Sequence, residues 1–303
     1  MTNVVLNQVL AIFLLTAFGF ALKKIDLLSD GFTKSSSDLI IYVTLPAMII
    51  SSMDREFSRD VARTSLQIFL MGAIMYACST LLAFLFAHLR RFEEHQRGVY
   101  MYMIIFGNVG YLGYPIMNAI YGDVGIFYSA VFNIWFNVLT WTLGVSILAR
   151  GRLNVRNMFI NPGLLSTLFG LFIFLTPLRL PGLIKSVLDN VGSMTTPLAM
   201  FLVGAFLAEA KLKDLVAQMD LYLASILKLI ATPALVFLLI ENFHLPEIVK
   251  ALPILMAGMP SGVNTAVFAK MFNRDYKLAA QGVVLSTALS MISLPVLILL
   301  TIR

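Results

Sequence analysis

The stretch GNVGYLGYP, residues 107–115, interrupts a run that otherwise has the composition of a membrane-spanning helix. Glycine and proline both disfavour a helix interior, the first through backbone entropy and the second through its missing N–H group. In hydrocarbon such a break is costly, because the freed backbone groups find no water to bond. The stretch therefore predicts a discontinuous helix.

The surrounding composition indicates an all-α polytopic membrane protein. The chain has 303 residues, of which 59% are hydrophobic and 13% charged, whereas soluble domains carry about 25% charged residues. Windows such as VVLNQVLAIFLLTAFGFAL (4–22) and STALSMISLPVLILLTI (286–302) are almost free of charge. Each approaches or reaches the length that crosses about 30 Å of hydrocarbon.

Hydropathy and loop signals together predict ten membrane spans. No basic residue precedes the first apolar segment and no small-residue cleavage site follows it, so we interpret it as a span and not a signal peptide. The predicted spans lie near 4–22, 34–52, 63–88, 98–120, 124–149, 160–177, 184–209, 216–240, 247–270 and 276–301.

The basic residues predict an orientation. Twice as many of them fall on one side of the predicted spans as on the other, and the link ARGRLNVRN (149–157) belongs to the richer side. Basic residues accumulate in cytoplasmic loops, which puts both termini outside the cytoplasm of a plasma (inner) membrane. The same bias accounts for the net charge of +6, so no nucleic-acid partner is inferred.

The two halves of the chain repeat each other at a fixed offset. DLIIYVTLPAM (38–48) and DNVGSMTTPLAM (189–200) each place an aspartate eight residues before a proline, and they start 151 residues apart. Gly107 and Gly258 show the same offset. Shared landmarks at half the chain length predict two repeats, 1–149 and 150–303. With five spans in each, the second must be inverted, as in many secondary transporters.

The counterpart of the first break is GMPSGVN, residues 258–264, in the predicted ninth span. Single kinks are tolerated in membrane helices. Two breaks at matched repeat positions instead favour a substrate site, because such half-helices meet near the midplane with positive N-terminal ends. The pattern therefore predicts a site for an anion at the crossing of helices 4 and 9.

The same stretches resemble the auxin efflux carrier family. GNVGYLGYPIMNAIYG (107–122) is similar to its fourth-span signature, and AGMPSGVNTAVFAKMFNRD (257–275) with AAQGVVLSTALSMISLPVLILL (279–300) to its ninth and tenth spans. TLPAM (44–48) and PLAMFLVGAFL (197–207) fit as well. The likeness covers the whole chain, which resembles a compact prokaryotic member of this family.

The resemblance implies a ten-helix inverted-repeat fold. It implies a scaffold domain of helices 1, 2, 6 and 7, through which the protein would form a homodimer. Helices 3–5 and 8–10 would form a transport domain with an elevator motion. Family substrates are small organic anions such as malate, malonate or auxin-like acids. The family's crossover residues correspond here to Asn108, Pro115, Pro260 and Asn264.

The predicted substrate site extends to the neighbours of these four residues. The asparagine side chains have donors for a carboxylate, although they also suit orphaned backbone groups at the breaks. Two tyrosines flank the first break and could bound the site, and two hydroxyl residues flank the second. The predicted set is Asn108, Tyr111, Tyr114, Pro115, Pro260, Ser261, Asn264 and Thr265.

Three charged residues near or within the spans have two interpretations each. Lys228 is a charge partner for the substrate, or its long stem carries the ammonium to the headgroups. Asp38 and Asp189 are candidate proton carriers, or they cap helix ends. No cofactor and no metal site are predicted, and the single cysteine, Cys78, is interpreted as a packed thiol.

These observations predict a secondary transporter in a lipid bilayer. A membrane sensor or scaffold that binds without transport is the alternative, although the chain shows no appended soluble domain. No HExxH motif, P-loop or paired membrane aspartates are present, which argues against an enzyme or a nucleotide-driven pump.

Overall fold

The computed structural model describes residues 2–149, 161–209 and 218–302. Over these residues every regular element is a helix, joined by turns and loops, and one isolated antiparallel bridge links Gly107 to Ser261. The protein is thus all-helical in its described part. Residues 150–157 of the predicted polar link lie outside it.

The described residues of the first half form seven α-helices, with three short π-helical turns between them. The α-helices are α1 (Thr2–Lys24), α2 (Asp30–Leu39), α3 (Leu45–Met53), α4 (Arg59–Leu89), α5 (Glu94–Ile105), α6 (Tyr114–Leu139) and α7 (Val145–Ala149). The π-helical turns are Ile40–Thr44, Val109–Gly113 and Thr140–Gly144.

The described part of the second half contains eight α-helices and one π-helical turn, Leu227–Ala231. The α-helices are α8 (Pro162–Leu175), α9 (Gly182–Ser193), α10 (Thr195–Glu209), α11 (Met219–Ile226), α12 (Thr232–Ile240), α13 (Glu247–Ala257), α14 (Asn264–Met271) and α15 (Tyr276–Thr301).

Both predicted interruptions are present. α5 ends at Ile105 and helical structure resumes at Val109, while α13 ends at Ala257 and α14 begins at Asn264. The boundary predicted between spans 4 and 5 falls at Gly122, which has a φ of 60° and bends α6. Glycine tolerates this left-handed conformation without a Cβ clash.

Six helical stretches among the described residues have the length and hydropathy to cross a membrane. They are Gly31–Met53, Arg59–Leu89, Val109–Ala149, Gly182–Ala208, Met219–Ile240 and Tyr276–Thr301. A chain with this many apolar stretches is a multi-pass integral membrane protein.

The chain forms two compact units, each assembled from three separate stretches. The first unit comprises 1–69, 110–137 and 156–209, and the second comprises 70–109, 138–155 and 210–303. Cys78, in the second unit, is buried with a free thiol.

Close helix packing in the first unit depends on glycine. α1 packs along α10, where a Cβ atom on Gly19 would lie 2.5 Å from the Cα atom of Phe201. A Cβ atom on Gly204 would collide with the carbonyl oxygen of Thr16. Small residues of this kind let membrane helices approach closely enough for van der Waals attraction to hold them.

The second unit is organised around α15, which contacts α5, α11, α13 and α14. Gly282 on α15 accommodates the side chain of Met103 on α5, which a Cβ atom there would overlap. Met103, Met256 and Met259 are fully buried, as suits a flexible side chain that fills irregular gaps. This packing fixes the two interrupted helices of the unit relative to α15.

Candidate functional site

The two interruptions of the second unit cross each other and are hydrogen-bonded. The Asn108 amide donates to the Pro260 carbonyl at 2.6 Å, and the Gly262 amide donates to the Phe106 carbonyl at 3.0 Å. The segments run antiparallel, with Gly107 beside Ser261. Extended backbone that would otherwise be unsatisfied at membrane depth is thereby paired within the protein.

Ser261 anchors this crossover to the helices around it. Its amide donates to Ser286 Oγ on α15 at 3.1 Å, and its hydroxyl donates to the Met103 carbonyl on α5 at 3.1 Å. Ser261 and Ser286 are both fully buried. The crossover is therefore hydrogen-bonded to both α5 and α15.

The pairing changes the expected source of positive charge. Exposed half-helix N–H groups were predicted to attract the anion, yet the amides of Asn108, Ser261 and Gly262 already have protein acceptors. The Thr265 amide also bonds locally, to the Gly262 carbonyl. Much of the donor capacity at this break is used by the backbone itself.

A buried ammonium group lies against the crossover instead. Lys228 has no exposed surface, and among the described residues its Nζ atom has no hydrogen-bond partner. Nζ lies 3.2 Å and Cε 3.3 Å from the point that a Cβ atom on Gly107 would occupy. The end of the lysine side chain thus packs on the glycine at the break.

A π-helical turn precedes the proline of this span and contains Lys228. The Thr232 hydroxyl donates to the Leu227 carbonyl at 2.8 Å, and Pro233, early in α12, has no N–H group to give. The hydroxyl thus satisfies a carbonyl near the point where proline interrupts the helical ladder. The turn itself packs against α5 and α15, and π-turns of this kind are frequent at functional sites.

The snorkelling interpretation of Lys228 is therefore wrong. A snorkelling lysine keeps its ammonium group in the headgroup region, whereas this one is enclosed by protein. The sequence placed Lys228 well inside a span but could not show which way its side chain points.

The other predicted residues of the second unit surround the same break. Asn108 is 4% exposed, Thr265 is fully buried and Asn264 is half-buried. The Thr265 hydroxyl, like the Lys228 ammonium, finds no partner in the part of the chain that the structure describes. Buried polar atoms without partners are rare in native proteins and each one calls for an explanation.

Tyr111, Tyr114 and Pro115 belong to the first unit. The Tyr111 hydroxyl is hydrogen-bonded to Ser37 Oγ at 2.7 Å. Tyr114, which is buried, is hydrogen-bonded to Asn133 on the same bent helix, α6. In the first unit, Tyr111 thus links the π-helical turn before α6 to α2.

Asp38 and Asp189 also lie in the first unit, and neither caps a helix. Asp38 is near the end of α2, whose first turn is capped by Ser29. Asp189 is well inside α9 and accepts a hydrogen bond from Ser51 on α3. The capping interpretation is wrong because both helices begin at least seven residues earlier.

The chain is similar to known membrane transport proteins. A family described as "Membrane transport protein" matches residues 4–155 and 151–298. An uncharacterized transporter of Methanocaldococcus jannaschii is 24% identical over 300 residues, covering 95% of this chain and 96% of the relative.

Two further relatives are similar. An uncharacterized transporter of Methanothermobacter thermautotrophicus is 26% identical over 296 residues, covering 95% and 96%. A Rhizobium meliloti protein named "Putative malonate transporter" is 22% identical over 264 residues, covering 83% of this chain and 81% of the relative. Because the family matches nearly the whole sequence, the chain belongs to the membrane transport protein family, that of the auxin efflux carriers.

Proposed function

We propose that the protein is a secondary transporter of small organic anions, with a substrate carboxylate bound at the crossover of the second unit. The observation that carries this proposal is the fully buried, unpartnered ammonium group of Lys228 beside Gly107. A charged residue inside a membrane-spanning helix costs about 2.5–3.5 kcal/mol on insertion scales and marks a functional site by default. An anionic substrate would offset that cost.

The polar groups on the two arms of the crossover suit a carboxylate. Asn108 and Asn264 bring side-chain amide donors to the two arms of the crossover, and Thr265 brings a buried hydroxyl. Hydrogen bonds to a charged group are about twice as strong as neutral ones. Since Nζ is covered in this conformation, substrate entry requires the crossover surroundings to open, as alternating access entails.

The wider mechanism follows from the family. We propose ten spans in two inverted repeats and an elevator motion of a transport domain (helices 3–5 and 8–10) against a scaffold (helices 1, 2, 6 and 7). The scaffold would also form a homodimer. Both termini would face away from the cytoplasm of the plasma membrane. Asp38 and Asp189 are the candidates for proton carriers if transport is proton-coupled.

Malonate is a reasonable first substrate because a relative carries that name, and malate and indole-3-acetate extend the series. Currents on a solid-supported membrane would be recorded from proteoliposomes, without sodium or proton gradients. We expect a substrate-specific current that Lys228→Met abolishes. Lys250→Met is the matched control, because Lys250 lies in the same unit but donates to the Glu241 carbonyl.

A sensor or scaffold that binds without transport is the alternative. Radiolabelled counterflow separates it from electroneutral exchange, because an exchanger accumulates label inside preloaded liposomes and a binding-only protein does not. Binding with neither current nor counterflow would favour the sensor. The absence of binding, current and counterflow with all three acids would contradict the proposal.

A further inference from the structure

The net charge at the crossover can be obtained by counting the buried charged side chains of the second unit. Lys228 is the one buried charged residue in the described part of the second unit. The unit's other described charged residues are partly or fully exposed, and two of them, Arg90 and Asp220, pair with each other. Lys228 therefore contributes one full positive charge to the interior when it is protonated.

The helix ends at the crossover add no net positive charge to that of Lys228. At the two breaks, α5 and α13 point their C-termini to the crossover, while α14 and the helical structure that resumes at Val109 point their N-termini to it. An N-terminus is equivalent to about half a positive charge and a C-terminus to about half a negative charge. The two negative ends and the two positive ends cancel, which leaves Lys228 as the source of any net positive charge.

Resting on the proposed function, we propose that this crossover accepts a single negative charge, so that its preferred ligand is a small monoanion. A monocarboxylate, or a dicarboxylate with one carboxyl group masked, pairs with Lys228 and leaves the interior neutral. A dianion leaves one charge without a partner in a medium of low dielectric, where desolvation is heavily penalised. A neutral ligand leaves the ammonium itself unpaired.

Three ligands of nearly equal size test this charge rule. Malonate, malonamate and malonamide carry two, one and no negative charges near neutral pH. Their affinities would be measured by isothermal titration calorimetry on the full-length protein in detergent. We expect malonamate to bind about tenfold more tightly than either of the others, which corresponds to about 1.4 kcal/mol.

A variant of Lys228 distinguishes recognition of the ligand's charge from recognition of the ligand's shape. In Lys228→Gln the preference for malonamate over malonamide should disappear, because the amide keeps a donor but has no charge. Lys250→Gln, at a lysine of the same unit whose ammonium group donates to the Glu241 carbonyl, should keep the wild-type preference. Retention of the preference in Lys228→Gln would overturn the assignment of the charge to Lys228.

The failure of this inference differs from the failure of the proposed function. Malonate binding tighter than malonamate by about tenfold would overturn the one-charge rule and leave carboxylate transport standing. Binding of neither malonate nor malonamate would also overturn the rule, whatever currents other acids give. The proposed function fails when no acid tested gives either a current or counterflow, whether or not it binds.

Discussion

The Nζ atom of Lys228 lies 3.2 Å from the point that a Cβ atom on Gly107 would occupy. In the second unit, the glycine at the first break is thus in direct contact with the charged group of Lys228. Gly107 is needed here less for its backbone freedom than for the space that its missing side chain leaves to the ammonium group.

Replacement of Gly107 by alanine should therefore displace Lys228. The new methyl group would also press on Met259 Cβ at 3.3 Å, and such overpacking costs about 1–3 kcal/mol of stability. We expect carboxylate affinity to fall by about tenfold, as measured by calorimetry. Gly110→Ala is the control, since a Cβ atom there meets no described atom within 4 Å. Equal losses in both variants would contradict the contact argument.

Lys228→Met should raise the stability of the protein while it abolishes carboxylate binding. Methionine is unbranched and one atom shorter than lysine, and it removes the unpartnered charge. Replacement of buried ionic groups by apolar ones can raise stability by about 1–4 kcal/mol. We expect a higher unfolding temperature in detergent together with loss of carboxylate binding. A variant that unfolds at a lower temperature would indicate that the amine has a structural role.

Ser286→Ala should weaken the crossover itself. It removes the acceptor of the buried Ser261 amide, and an unsatisfied buried donor costs about 1–3 kcal/mol. Ser290→Ala on the same helix removes a hydroxyl that donates to the Thr287 carbonyl of its own helix. Thermal unfolding of the two variants should differ by several degrees. Similar melting of both would argue against anchoring through Ser286.

The double variant Asn108→Ala and Asn264→Ala should lose substrate binding while it folds and inserts normally. Alanine at 108 keeps the backbone bond to the Pro260 carbonyl, so the crossover retains its shape. Calorimetry and size-exclusion chromatography measure the two properties. Asn190→Ala, at an exposed position of α9, is the control. Wild-type affinity in a folded double variant would exclude the asparagines from the site.

The sequence was sufficient to predict the helical membrane class and both interruptions. Runs of apolar residues and clustered glycine and proline are local signals, and Gly107 and Gly258 mark the breaks at which the helices stop. The kink at Gly122 was likewise predicted as the boundary between two spans.

The chemistry of the break could not be derived in the same way. The orientation of Lys228 depends on how α11 and the π-helical turn pack against α5 and α15, which are distant in sequence. The use of backbone amides across the crossover depends on the antiparallel pairing of residues about 150 positions apart. Helix caps were also misplaced at Asp38 and Asp189, because polar residues inside a helix resemble those at its start.

Because Lys228 lies in the π-helical turn Leu227–Ala231, the direction of its side chain depends on the rotation that this turn introduces about the helix axis. Each residue of an α-helix turns the chain by about 100°, so one residue more or fewer rotates everything beyond it by that angle. Deletion of a single residue from this turn would restore a regular helix and swing the lysine away from Gly107. The direction in which the Lys228 side chain points therefore depends on the number of residues in this turn as much as on their types.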